Sequence, residues 1–181
     1  FYRAGHYARI TEELKNSALK NKEKQGSHEC EKDADDESIA PYAFTNSTAV
    51  KILRLSNIKR IGKYAYASCP ELTEVEIDAP ECVIEKGAFD RCSKLKSVSL
   101  NVKEICEGAF SFCRNLEEVR ADGVSVLPAG CFAGCFDLKK IEFNNVTRIG
   151  ARCFDECISL EGFDLSRIRT VDERAFERCD S

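Results

Sequence analysis

An aromatic residue returns down this chain at nearly fixed intervals. Phe44, Tyr66, Phe89, Phe110, Phe132, Phe154 and Phe176 are separated by 22, 23, 21, 22, 22 and 22 residues. A period of that size restricts the fold to short units stacked one on the next, because one such unit cannot close a core by itself.

Other columns keep the same phase when positions are counted from the aromatic. Position −5 holds Ile39, Ile61, Ile84, Ile105, Leu127, Ile149 and Val171. Position +3 holds Cys69, Cys92, Cys113, Cys135, Cys157 and Cys179, with Ser47 in the first copy. Position +6 is Val50, Leu72, Leu95, Leu116, Leu138 and Leu160. Positions +9 and +11 are apolar and alternate with polar neighbours, as in LTEVEI and LKSVSL, which predicts a short strand with one buried face. The AFxxC piece suits one helical or 3₁₀ turn that points its aromatic and its Cys inward. At +11, Ala121 is followed one unit later by Phe143; small beside large conserves volume between layers, so these two side chains are expected to pack together.

The pattern I-G-x-x-A-F/Y-x-x-C-x-x-L-x-x-V/I-x-I reads IGKYAYASCPELTEVEI from Ile61 to Ile77 and IGARCFDECISLEGFDL from Ile149 to Leu165. It resembles the BspA-like, or Treponema pallidum type, class of leucine-rich repeats over residues 39–181. The resemblance implies an α/β repeat: a curved, right-handed leucine-rich-repeat solenoid with a short parallel β-strand and a helical or 3₁₀ turn per repeat. It implies protein–protein interaction, often adhesion or surface recognition at bacterial or protist surfaces, and it carries no catalytic residues over. Departures are small: periods of 21 and 23, Ser47 for the first Cys, and Cys131 and Cys153 where other copies have Ala.

Residues 1–38 do not repeat. Thr11 is placed to N-cap a helix through ITEELKNSALKNKEK, with Tyr7, Ile10 and Leu14 as a narrow apolar stripe. The acidic stretch 26–38 reads as a linker or loop. The helix is expected to cap the first repeat; the alternatives are a neighbouring domain or a docking role. At the other end the last repeat is incomplete and leaves an open strand edge around Leu165 and Phe176. Further repeats or another chain are expected to cover it. The chain has no Met and opens without an apolar leader, so it reads as a processed product or fragment.

The net charge of −4 gives no electrostatic footprint for nucleic acid, and no run of 18 apolar residues offers membrane insertion. The 11 Cys are odd in number, and their spacing follows the repeat, which is not the pattern of a small disulfide-stapled scaffold. The +3 column reads as a ladder of buried thiols. Disulfides between adjacent repeats are disfavoured because parallel stacked side chains do not face each other. The sharper alternative is zinc held by Cys131, Cys135, Cys153 and Cys157, two C-x-x-x-C pairs in adjacent repeats. Against it, the spacing is not C-x-x-C, and Cys131 and Cys153 merely replace Ala. Cys30, Cys82 and Cys106 follow no shared column, and Cys30 is the one expected to be exposed. No cofactor is indicated.

Only two His occur, His6 and His28, both outside the repeats, so no Cys–His nucleophile has a fixed geometry. No phosphate loop, nucleophile elbow or metalloprotease motif appears, and the expectation is a binding module rather than an enzyme. Asn46 and Asn145 begin N-x-T sequons that matter only if the chain is secreted.

If +9 and +11 face inward, then +8, +10 and +12 face a partner. The candidate residues are Arg54, Glu74, Glu76, Asp78, Glu118, Arg120, Asp122, Lys140, Glu142 and Asp164. Seven acidic and three basic side chains make this face acidic, and it contains no aromatic residue. It is expected to meet a basic or polar protein weakly and over a wide area, since only Arg54 and Arg120 are of the kinds that dominate interfaces; the alternative is a merely solvated sheet face. The resemblance favours a cell surface or extracellular setting, whereas many unpaired thiols favour a reducing interior and a scaffold or cytoskeletal role.

Overall fold

The computed structural model describes residues 37–162 and 164–179. The helix expected from Thr11, Cys30, both His and Phe163 lie outside the described residues. The coils of Phe44 through Phe132 each make one main strand that starts at position +8: β2 (Ile52–Ser56), β4 (Glu74–Ile84), β5 (Ser97–Ile105), β6 (Glu118–Asp122) and β8 (Lys140–Phe143). A second, shorter strand forms around position −5: β1 (Ser38–Ile39), β3 (Arg60–Ile61), β7 (Val126–Leu127), β9 (Arg148–Ile149) and β10 (Thr170–Val171). In β4 and β5 the two positions run together as one long strand.

All pairings are parallel and in phase. Leu53 faces Val75, Val75 faces Val98, Val98 faces Val119 and Val119 faces Ile141. The +11 column follows suit, and Ala121 is the direct register partner of Phe143, on the same face, as its volume requires. These inward residues are buried in β4, β5 and β6, and Leu55 and Phe143 are half-buried, while their neighbours are mostly exposed, the alternation expected of a sheet with one wet side.

One sheet runs β1-β3-β4-β5-β6-β8 with β2 also on β4, and the other runs β10-β9-β7. The split between β5 and β7 has two causes. β5 passes straight from Leu100 to Ile105 as one strand, whereas the next coil bends at Gly123 with φ of 87°. A Cβ there would lie 2.6 Å from the Val102 carbonyl oxygen. Pro128 then stands where other coils use a backbone N–H. Gly62, Glu85, Cys106, Gly150 and Asp172 donate to the preceding −5 carbonyl at 2.7–2.9 Å, and proline has no N–H to give.

The third side is not the helical or 3₁₀ turn expected, and no helix occurs among the described residues. Bonds of the 3₁₀ type do form, such as Ala65 N–H to Gly62 O at 3.0 Å and Cys92 N–H to Phe89 O at 3.4 Å. They cannot propagate, because positions −2 and +2 take positive φ in every coil, for example Tyr64 at 54° and Ser68 at 55°. The N–H groups at −2, 0 and +2 instead donate across to the following coil. Tyr64, Tyr66 and Ser68 bond to the carbonyls of Lys86, Ala88 and Asp90 at 2.7–3.1 Å. Alternate peptide groups therefore serve the coil and its neighbour.

The core is a continuous pile of rings. Consecutive aromatics from Phe44 to Phe176 are stacked with centroids 5.0–5.7 Å apart and planes within 14°, an offset geometry favourable for aromatic pairs. Tyr66, Phe89, Phe110, Phe132 and Phe154 are fully buried. Each such ring removed from water stabilises the coil by about 2–3 kcal/mol before entropy is counted. Tyr66 breaks the run chemically: its hydroxyl is buried without a hydrogen-bond partner, and burial pushes its phenol above the usual range. Tyr66→Phe is therefore expected to stabilise the protein by about 1 kcal/mol, read as a thermal midpoint raised by about 2–4 °C. A lowered midpoint would show that the hydroxyl is satisfied.

Candidate interaction surface

The main strands display the +8 and +10 residues side by side, one coil spacing apart. Arg54 reaches across to the next coil, donating from Nε to Glu76 at 2.9 Å and pairing with Glu74. These two carboxylates hold its guanidinium pKa above the ordinary value, the Glu76 hydrogen bond foremost. Arg120 pairs with Asp122 at 2.9 Å, and Lys140 with Glu142 at 2.9 Å. The hydrogen bond from Lys140 lowers the Glu142 pKa, and the same contact raises that of Lys140. Asn101 donates to Asp78 at 2.9 Å, and Asn144 donates to Asp122. Exposed pairs of this kind add little stability, but they pin the side chains and offset part of the acidity counted in the sequence.

The structure brings nine of the ten predicted residues onto this sheet face. Asp164 stands apart, in a stretch with no strand, where the Ser166 N–H bonds its carboxylate and lowers its pKa. Leu165, read as an inward +11 residue, is 52% exposed there. The face is indented at its middle. Ser97 and Ser99 are short, and Glu74, Glu76, Glu118, Arg120, Lys140 and Glu142 rise around them, leaving a shallow depression of ≈ 290 Å³.

The thiol column sits behind the ring stack. Each +3 thiol donates to the carbonyl of the aromatic one coil back: Cys69 to Phe44, Cys92 to Tyr66, Cys113 to Phe89, Cys135 to Phe110, Cys157 to Phe132 and Cys179 to Phe154, at 3.0–3.3 Å. All described cysteines are free thiols. Cys131 and Cys153 fill the buried −1 column beside Ala65, Ala88 and Ala109. Burial raises the pKa of Cys131, Cys135, Cys153 and Cys157, which favours the thiol over the thiolate that zinc requires. Among the described residues no group of three or more His, Cys, Asp or Glu is disposed to hold a metal ion. Cys82, outside the shared columns, is also buried, and its pKa is pushed up to about 11.

Sequence reasoning missed the aromatics that point outward. Tyr42 stacks on Tyr64 at 5.5 Å, and Arg91 and Arg114 lie over the rings of Phe112 and Phe136, both at 5.5 Å. Their signal was negative: these residues belong to no inward column.

Parallel sheets on two sides, a ring stack within and one turn edge define a parallel β-solenoid of the leucine-rich-repeat kind. The chain belongs to the family described as BspA type leucine rich repeat region, matched in six copies over residues 12–123 and 59–181. Solved structures are similar to it. A leucine rich cell surface protein of Faecalibacterium prausnitzii A2-165 is 26% identical with a TM-score of 0.53, covering 60% of this chain and 30% of that one. A leucine-rich repeat protein of Eubacterium ventriosum is 17% identical with a TM-score of 0.56, covering 73% and 44%. The leucine rich repeat protein of T. pallidum is 25% identical with a TM-score of 0.49, covering 68% and 71%. The chain thus spans less than half the length of the first two. No curated protein matches it.

Proposed function

We propose that this chain is a protein-binding module of a cell-surface protein, and that its strand face is the recognition surface. The indented acidic sheet is the observation that carries the reading: rigid strands hold charged side chains in fixed rows around Ser97 and Ser99. A scaffold of nearest-neighbour coils supplies a wide, preformed surface. The likeness to the F. prausnitzii surface protein supports the location. The partner that fits is basic or polar. Charge reversal in the triple variant E74K/E76K/E118K is expected to weaken capture of the natural partner by tenfold or more, measured by surface plasmon resonance at low salt. Unchanged capture would remove this face from the binding site.

The free thiols favour a second reading, an intracellular scaffold. Antibody labelling of intact against permeabilised source cells separates the two: labelling only after permeabilisation would overturn surface display.

A further inference from the structure

We propose that the turn edge carries a second binding surface, an arginine–phenylalanine ridge that takes a carboxylate-bearing apolar segment of a partner protein. The ridge occupies the +2 and +4 columns, which lie on either side of the buried +3 thiols. Phe112, at +2, is 38% exposed and has a φ of 55°. A bulky aromatic in left-handed backbone is costly, and an exposed ring adds to that cost. The fold does not ask for it, since Asn46, Ser68 and Gly134 fill the same position in other coils. The ring lies flat on Gly134, where a Cβ would come within 2.6 Å of it.

The cations are fixed on these rings. The Arg91 guanidinium is 5.5 Å from the Phe112 centroid, and that of Arg114 is 5.5 Å from the Phe136 centroid. Arg91 has one long contact, 3.4 Å, with Asp90, whose carboxylate also accepts from Ser111 at 2.7 Å. Arg114 forms no ion pair among the described residues. A ring satisfies the face of a guanidinium but not its N–H edge, which remains a planar fork matched to a carboxylate. Ile158 continues the +4 column and is 52% exposed, extending the apolar floor. Arginine and aromatic side chains are the residues that dominate interface energetics. Charge complementarity selects the occupant: an acidic, apolar segment suits two stacked guanidinium groups and is repelled by the acidic strand face.

A labelled synthetic peptide alternating Asp or Glu with Leu or Phe, and its Asn/Gln counterpart, test this by fluorescence anisotropy on the whole chain. The acidic peptide is expected to bind saturably, the amide peptide at least tenfold more weakly. R91E/R114E is expected to weaken the acidic peptide at least tenfold with its melting temperature unchanged, while E74K/E76K/E118K does not weaken it. If R91E/R114E fails to fold, R91Q/R114Q takes its place. The proposal is overturned if the acidic peptide does not bind, if the arginine variant binds it equally well, or if the strand-face variant loses it.

Discussion

Phe110→Ala is expected to destabilise the protein by about 3–5 kcal/mol, the range for emptying an aromatic site in a packed core. The ring is fully buried between Phe89, 5.0 Å away and nearly parallel at 4°, and Phe132 at 5.7 Å. Its loss removes two stacking contacts and opens a gap in a column whose buried neighbours in the chain, Cys113 and Leu116, are held in place by hydrogen bonds, Cys113 to the Phe89 carbonyl and the Leu116 N–H to Cys113 O. In an array stabilised by neighbour contacts, a break at the middle uncouples the two halves. Urea unfolding followed by circular dichroism gives the measurement: the midpoint is expected to fall, with a broadened or two-step transition. A loss below about 1 kcal/mol would mean that the ring stack is not the core.

Gly150→Val is expected to cost about 3 kcal/mol, by crowding rather than by emptying. Gly150 is not in left-handed backbone, so the cost is steric. A Cβ at Gly150 would fall 2.7 Å from the Ala129 nitrogen and 2.7 Å from the Pro128 carbonyl carbon, both main-chain atoms that no rotamer change can move. Gly62 meets the same obstacle at 2.5 Å from the Pro41 nitrogen. The coil would have to lift from its predecessor and stretch the Gly150 N–H bond to Leu127 O, now 2.7 Å. Thermal melts of G150V should show the drop, and hydrogen exchange should place the lost protection at Leu127 to Cys153. A near-neutral variant would mean that these coils are not in backbone contact.

The main strands were legible because two periods agreed, whereas the second, two-residue strands around position −5 are too short to show an alternation. A residue alternation of two within a repeat of about 22 fixes both the buried face and the register, and Leu53 through Phe143 fell where that logic put them. The turn was not legible as a turn. Its positive-φ positions carry Tyr64, Arg91, Phe112 and Glu156 as well as glycines, so no glycine or asparagine signature marks them. Inter-coil hydrogen bonds offset the conformational cost that propensity would count against those residues. Pro128 was visible, but its effect depends on knowing which N–H each coil donates backward. The candidate face was legible as charged columns. Its pairing was not, because whether Arg54 turns toward Glu74 and Glu76 is a matter of side-chain reach across coils rather than of order along the chain.

The one-way hydrogen bonding of the turn edge gives the array a polarity. On that edge each coil from Phe44 to Phe154 offers three N–H groups to its successor, whose carbonyls accept them, as Phe110, Gly108 and Phe112 do toward Cys131, Ala129 and Ala133. Two coils can therefore mate head to tail but not head to head. Such a lattice can be lengthened by duplicating a coil in the same orientation, and it rejects an inverted one.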